Sequence, residues 1–106
     1  MRLAVVSSDG ENVDLHLGKG KSVYIYDYDD ELNFVEKRDI EISEDSKHQG
    51  GKVIKACSDC DVLISAQYGF KSKIKAEDAG IKLVIDEGPV DEVLKRYIDH
   101  VEFMKK

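Results

Sequence analysis

Residues 3–7, Leu-Ala-Val-Val-Ser, are the stretch of this chain that decides the fold. Four consecutive apolar residues, two of them β-branched, are typical of a strand that is buried in a sheet. A mostly polar segment follows, and residues 15–21, Leu-His-Leu-Gly-Lys-Gly-Lys, come next. The pattern predicts a buried strand over residues 2–8. It places an imidazole, two glycines and two lysines on the loop that leaves this strand.

The segment after this loop predicts an antiparallel meander. Residues 22–28 are aromatic and β-branched, which indicates a second strand. The acidic residues 29–31 form a turn, and residues 32–40 show the weaker alternation of a third strand at the edge of the sheet. A polar connection over residues 41–49 then leads to a predicted helix over residues 50–57.

Strands and helices alternate in the second half of the chain. Residues 61–66 contain a continuous apolar run, which predicts a strand that is buried on both faces. A helix is expected over residues 70–79, with Ser72 as its N-cap and Gly80 as its left-handed C-terminal stop. Residues 81–85 predict the fifth strand.

The last helix is predicted to start at Gly88-Pro89, because apolar residues recur at helical spacing beyond it. These residues are Val90, Val93, Leu94, Tyr97, Ile98 and Val101. The resulting order β-β-β-α-β-α-β-α predicts an α/β fold, a mixed five-stranded sheet with three helices packed on it. This is the order of a ribonuclease H-like sheet.

The bulk properties indicate one globular domain over residues 1–106. Hydrophobic residues make up 42% and charged residues 36% of the chain, which is typical of a folded protein. The net charge of −6 argues against general nucleic-acid binding, because contacts to phosphates need a basic surface. No apolar run reaches the roughly 18 residues of a membrane span, and the start is too short for a secretory signal. We therefore expect a cytoplasmic protein.

Strand direction predicts which loops meet. The His16 loop, the 41–49 connection and the segment after the fourth strand all reach the edge where the first strand ends. Open α/β sheets bind ligands at this edge, and the N-termini of the three helices there favour anions. Five lysines lie near the same edge: Lys19, Lys21, Lys47, Lys71 and Lys73. The arrangement favours an anionic ligand, including one that contains metal; the alternative is a solvated loop with scattered surface charge.

The candidate binding residues at this edge combine three kinds of group. Histidine can ligate a transition metal, lysine supplies a positive charge, and glycine allows the backbone to approach a ligand closely. Tyr68 is the one tyrosine placed to touch a ligand. The predicted cofactor-binding set is His16, Gly18, Lys19, His48, Tyr68 and Gly69, with His16 and His48 as the metal ligands.

Cys57 and Cys60 form a CxxC pair that leaves three alternatives open. The pair could be half of a zinc site, a redox pair, or two small buried side chains. Nine residues separate His48 from Cys57, which is about 14 Å along a helix. Because metal bonds are roughly 2.0–2.3 Å long, we do not expect the cysteines to share a metal with the histidines. We expect the cysteines at the opposite edge of the sheet, with Cys60 as a buried residue at the start of the fourth strand.

Several short stretches, in this order and spacing, resemble the dinitrogenase iron–molybdenum cofactor biosynthesis family, the NifX and NafY group that also forms the C-terminal part of NifB. The matching residues are 3–7, 13–18, 59–64, 79–81 and 87–88, which together span nearly the whole chain. His16 matches the histidine of the family's HFG-like motif, with Leu17 in place of the usual phenylalanine. His48 falls where members often have a histidine, whereas residues 67–70 replace a glycine-rich segment.

The resemblance implies a ribonuclease H-like fold and a domain that binds or carries an iron–sulfur or iron–molybdenum cluster or its precursor, without catalysis of its own. The implied partners are the metallocofactor and a cofactor-assembly or acceptor protein. Two alternatives stay open. A ribonuclease H-like nuclease needs metal-binding carboxylates that the interior of the first strand lacks. A thiol redox or sensor protein would use the CxxC pair, although a pair that follows a helix is not activated by the helix N-terminus.

Overall fold

A computed structural model describes residues 1–40 and 50–105 of the chain. In this part of the chain the strands are β1 (Arg2–Val6), β2 (Asn12–Val13), β3 (Ser22–Tyr28), β4 (Leu32–Asp39), β5 (Val62–Ser65), β6 (Lys82–Ile85) and β7 (Gly88–Pro89). The α-helices are α1 (Gly50–Ala56), α2 (Phe70–Asp78) and α3 (Val90–Met104), and Leu17–Lys19 form a 3₁₀ turn. Among these described helices, none has both the length and the apolar character needed to cross a membrane.

Five of the described strands form one mixed sheet in the order β4-β3-β1-β5-β6. β1 lies in the centre, antiparallel to β3 on one side and parallel to β5 on the other. β3 pairs antiparallel with β4, and β5 pairs in parallel with β6. The predicted meander, the edge position of its third strand, and the mixed five-stranded sheet with helices are therefore confirmed.

Alternating side chains of β1 enter two different cores, because neighbouring residues of a strand point to opposite faces of a sheet. Ala4 and Val6 are fully buried in one core with residues of α1 and α2. Leu3 and Val5 are fully buried in a second core with residues of α3. Burial of a valine or leucine side chain stabilises a fold by about 1.5–3 kcal/mol. β1 thus anchors helices to both faces of the sheet.

The predicted C-terminal stop of α2 is confirmed. Gly80 follows the helix with φ +77°, a left-handed conformation that glycine adopts without steric cost. The Ile81 N–H then donates to the Ala76 carbonyl oxygen at 2.9 Å, which satisfies one of the free carbonyls at the end of the helix. This turn directs the chain back toward the sheet and into β6.

The predicted N-cap of α2 is wrong. Gly69 occupies that position, and Ser72 is the third residue of the helix. The prediction followed the general preference of serine for N-caps. The backbone stays extended up to Gly69, which has φ −92° and ψ 166°, and the helix begins at Phe70, two residues before the serine.

The predicted start of the last helix is also wrong. Gly88 and Pro89 form β7, which pairs antiparallel with Asn12 and Val13 of β2 in a small second sheet. Gly88 has φ +120°, which is incompatible with a right-handed helix, and a residue before proline is biased toward extended conformations. The helix therefore begins at Val90.

Candidate functional site

The His16 loop lies at the carboxyl edge of the sheet, by which we mean the edge where β1 and β5 end. His16 pairs with Gln67 in an isolated parallel bridge. The Gln67 carbonyl oxygen accepts hydrogen bonds from the Leu17 N–H at 2.7 Å and from the Ser65 hydroxyl at 3.1 Å. Leu17 is fully buried in the core below. The structure therefore joins the His16 loop to the segment after β5, as strand direction predicts.

The segment between β1 and His16 is held by side chains that bond to its own backbone. The Asp9 carboxylate accepts a hydrogen bond from the Glu11 N–H at 2.8 Å, and such backbone donors lower the pKa of Asp9. The Ser8 hydroxyl donates to the Asp14 carboxylate at 2.6 Å. These bonds fix the path by which the chain enters the His16 loop. Turn-forming serine and aspartate residues are the sequence signal that could have revealed them.

The His16 side chain caps the 3₁₀ turn that follows it. Its Nδ1 accepts a hydrogen bond from the Gly18 N–H at 3.0 Å. A ring nitrogen that accepts this bond carries no proton, so the proton of the neutral ring is on Nε2. The partly exposed ring therefore offers an N–H donor. A metal bond through Nε2 requires this proton to leave, and protonation of Nδ1 would break the bond to Gly18.

Gly20 holds the end of the loop against the sheet, a role that sequence reasoning missed. A Cβ atom on Gly20 would lie 2.7 Å from Cγ1 of Val6, closer than real Cβ contacts come. The Gly20 N–H also donates to the Leu17 carbonyl oxygen at 3.2 Å. The close approach keeps the exposed Lys19 at the carboxyl edge beside His16. The second glycine of the loop was visible in the sequence, but its contact with β1 was not.

The start of α2 favours negative charge. Gly69 is its N-cap, no side chain in the described part of the chain caps it, and its first turn contains no acidic residue. Lys71 and Lys73 are exposed on the same part of the helix. Free N–H groups at a helix start carry partial positive charge, which the lysines reinforce. A Cβ on Gly69 would meet nothing within 4 Å, so the backbone there is open to approach.

Tyr68 packs against the hydrophobic core that contains residues of α1 and α2. It also lines a cavity of about 130 Å³ together with Lys73, Glu77, Ile81, Lys82 and Leu83. No residue of the His16 loop lines that cavity. The role of Tyr68 as a ligand contact stays a prediction, and the structure shows a packing contact in its place.

The second predicted imidazole cannot be located with the first. His48 and Lys47 fall within residues 41–49, which lie outside the described residues. The pairing of His48 with His16 as metal ligands therefore stays a prediction. Within residues 1–40 and 50–105, no three histidine, cysteine, aspartate or glutamate side chains form a group that could hold a metal ion.

Cys57 and Cys60 lie at the amino edge of the sheet, by which we mean the edge where β1 and β5 begin. The Arg2 N–H donates to the Asp61 carboxylate, and the Asp61 N–H donates to the Arg2 carbonyl oxygen, both at 2.8 Å. Both cysteines are buried and free. The predicted separation of the thiols from His16 is confirmed, as is the burial of Cys60 just before β5.

The carboxylates required by a nuclease are not gathered at the sheet centre in the part of the chain that the structure describes. The interior of β1 is apolar and fully buried. Asp9 lies beyond its end and is engaged by backbone N–H groups, and Asp61 lies at the amino edge. These two carboxylates cannot share one metal ion, because they occupy opposite edges of the sheet.

The described residues form a small mixed α/β protein with exposed lysines at the carboxyl edge of its sheet. Residues 1–100 match the sequence model of the family described as dinitrogenase iron-molybdenum cofactor. The chain belongs to this family, as the resemblance of its short motifs indicates. A comparison with curated proteins gives no match.

Solved structures share the fold over most of their length. PH0822 is 19% identical with a TM-score of 0.79, over 94% of this chain and 92% of that one. A protein of Methanocaldococcus jannaschii provisionally assigned as a dinitrogenase, mj0327, is 21% identical with a TM-score of 0.66, over 94% and 89%. A Thermotoga protein provisionally assigned as NifB, TM1290 of the DUF35 family, is 20% identical with a TM-score of 0.63, over 92% and 87%. At these identities the likeness establishes the fold alone.

Proposed function

We propose that this protein binds or carries an anionic metal cofactor, an iron–sulfur or iron–molybdenum cluster or its precursor, at the carboxyl edge. The observation that carries the proposal is the junction between the His16 loop and the segment leading into α2. It puts an imidazole, the Lys19 charge and an acid-free helix start on one edge of a chain whose net charge is −6. Membership of the family supports the same class of cargo.

The wider proposal concerns the whole chain. Residues 1–106 act as one cytoplasmic domain without catalytic activity, which receives its cargo from a cofactor-assembly protein or passes it to an acceptor protein. The strand order β4-β3-β1-β5-β6 supports assignment to the ribonuclease H-like folds. Detectable Mg²⁺-dependent cleavage of an RNA–DNA hybrid would contradict the non-catalytic part of the proposal.

His16 has two ways to hold the cargo. With the Gly18 bond intact, its Nε2–H donates a hydrogen bond to a sulfide or oxo group at the surface of the cluster. If the ring proton sits on Nδ1 instead, the Gly18 bond is lost and Nε2 is free to ligate a metal ion of the cluster, with His48 as a second ligand. In both modes Lys19 and the N–H groups of α2 offset the negative charge of the cargo. Gly18 and Gly69 leave the backbone accessible, and Tyr68 would contact the cargo only after leaving its packing position.

Binding of tetrathiomolybdate, a coloured molybdenum–sulfur anion, tests the proposal. Anaerobic titration of the full chain is followed by visible absorption and by calorimetry. We expect the His16→Ala variant to bind at least about tenfold more weakly, which corresponds to about 1.4 kcal/mol. His100→Ala is the matched control, because His100 is an exposed histidine on α3. Equal affinity of the parent and His16→Ala would refute the site.

His16→Gln separates the two binding modes. Glutamine keeps an N–H donor of similar reach but is a poor transition-metal ligand. Retained affinity in His16→Gln supports the hydrogen-bonded mode, and a loss as large as in His16→Ala supports ligation. ¹⁵N spectra of the ring with the anion bound give an independent answer, since Nε2 keeps its proton only in the first mode.

A further inference from the structure

The two thiols at the amino edge lie at the ends of one reverse turn. The Cys60 N–H donates to the Cys57 carbonyl oxygen at 2.9 Å. In a turn closed by such a bond the first and fourth Cα atoms are less than about 7 Å apart, and disulfides need a separation of roughly 4.4–6.8 Å. The backbone thus already holds the pair within reach of a covalent bond.

The turn lies at the surface although its sulfur atoms point inward. Ser58 and Asp59, the two central residues, are exposed. Cys57 is fully buried, whereas Cys60 is 5% exposed. Of the two cysteines, Cys60 is therefore the one nearer to solvent.

A guanidinium group supplies positive charge beside the turn. Arg38 of β4 donates to the Ala56 carbonyl oxygen at 2.9 Å and to the Asp59 carboxylate at 2.6 and 2.8 Å. The contact between the two thiols has the largest influence on both: it lowers the pKa of Cys60 and raises the pKa of Cys57. The Arg38 charge favours the thiolate form of both cysteines, whereas the Asp59 carboxylate, which accepts a hydrogen bond from the Cys60 thiol at 3.7 Å, opposes it.

We propose that Cys57 and Cys60 form a dithiol that a small peroxide oxidises to an intramolecular disulfide. The Cys60 thiolate attacks one oxygen of hydrogen peroxide, the O–O bond breaks, and the departing hydroxide takes up a proton to leave as water. The Cys60 sulfur is then a sulfenic acid. The Cys57 sulfur attacks it, the S–O bond breaks, and the hydroxyl group leaves with the Cys57 proton as a second water. Two thiols and one peroxide give one disulfide and two waters.

This dithiol is independent of the cargo site, since the two occupy opposite edges of the sheet. A CxxC pair at the end of a helix lacks the activation of a helix N-terminus. The reverse turn instead brings the two thiols within reach of each other, and no local signal in the sequence reveals this turn. The contact between the thiols lowers the pKa of Cys60, which makes Cys60 the attacking thiol and Cys57 the resolving one.

Intact-mass analysis of the folded, fully reduced full chain tests the proposal. On exposure to a modest excess of hydrogen peroxide, we expect a loss of two hydrogen atoms per chain, reversal by dithiothreitol, and a Cys57–Cys60 crosslink in the peptide map. Native protein that keeps both thiols under these conditions, while unfolded protein loses them, would overturn the proposal. Circular dichroism confirms that the oxidised sample is folded.

Two serine variants assign the roles. Cys57→Ser removes the resolving thiol, so a sulfenic acid persists at Cys60 and is trapped by dimedone. Cys60→Ser leaves only the buried thiol, and we expect its reaction with peroxide to be at least about tenfold slower than that of Cys57→Ser. Equal rates in the two variants would contradict the assignment. Parent protein supplies the mass readout even if a variant fails to fold.

Discussion

The two edges of the sheet use opposite electrostatic arrangements. At the amino edge, Arg2 and Arg38 both bind the Asp59 carboxylate, and Arg2 also binds Asp27. At the carboxyl edge, backbone hydrogen bonds and the buried Leu17 hold the loops. The carboxyl edge also carries an ion pair, between Arg96 and Asp86. Among the described residues, Lys19 and Lys71 form no ion pair there, whereas the arginines of the amino edge are paired.

This contrast supports the proposal that an acidic chain binds an anionic cargo. Paired charges at the amino edge have little effect on the electrostatic potential at the opposite edge. The two charges of an ion pair offset each other at long range, and solvent screens the potential that is left. Lysines near an uncapped helix start are unfavourable for the helix itself. Repulsion between these lysines and the positive end of the helix slightly lowers the stability of the carboxyl edge, and an anionic ligand would relieve this repulsion.

The largest expected effect is at Leu17, the apolar anchor of the carboxyl edge. Its side chain is fully buried, so Leu17→Ala leaves a cavity and lowers the free energy of unfolding by about 2–5 kcal/mol. Phe70→Ala is the control on the same edge, because Phe70 is 77% exposed, and we expect a change within about 0.5 kcal/mol. Urea unfolding measures both. Equal stability of Leu17→Ala and the parent would show that packing does not hold this edge.

A smaller effect is expected at Gly20, where the loop touches β1. Gly20→Ala forces a methyl group against Val6 and lowers the free energy of unfolding by about 1–3 kcal/mol. Gly69→Ala places its methyl group in open space, so we expect a loss below about 1 kcal/mol. The same unfolding measurement compares them. If Gly69→Ala were the more damaging change, the close approach at Gly20 would not position the loop.

The smallest effect concerns the ion pairs of the amino edge and depends on pH. Arg38 and Arg2 hold the pKa of the Asp59 carboxyl well below its usual range. The pKa of the Asp59 carboxyl is lower in the folded protein than in the unfolded chain, so the ionised carboxylate stabilises the fold above the unfolded pKa of about 3.9. This stabilisation is lost as the pH falls below that value toward the folded pKa. Asp59→Asn therefore lowers the free energy of unfolding by about 1 kcal/mol at neutral pH, since the pair is partly screened. The difference from the parent disappears in acid.

Asp39→Asn is the matched control for this pH dependence. The Asp39 side chain is 81% exposed, and its only nearby cation in the described chain is Lys37 at 3.5 Å. We expect a much smaller change at neutral pH. A difference between Asp59→Asn and the parent that grew as pH fell would reverse the sign argument and remove the contrast between the two edges.

The sequence predicts the main strands and helices correctly but only some features of the loops and helix ends. The apolar runs of β1 and β5 identify strands because their pattern is local. The same local rules misplaced the N-cap of α2 and the start of α3, where tertiary bonds and the pairing of β2 with β7 decide the backbone. The role of Gly20 and the partnership of Arg38 with the CxxC turn gave no local signal, because their partners are distant in the chain.

The sequence by itself determined the order of the five strands of the main sheet and of the three helices, the burial of β1, and the family to which the chain belongs, because hydrophobic periodicity and short motifs are written in neighbouring residues. Strand direction then settled that His16 and the thiols lie at opposite edges. Only the tertiary structure decided which nitrogen of His16 carries the proton, where the Tyr68 ring packs, and which of the two cysteines is the less deeply buried. Each of these depends on a hydrogen bond or contact whose geometry exists only after the chain has folded.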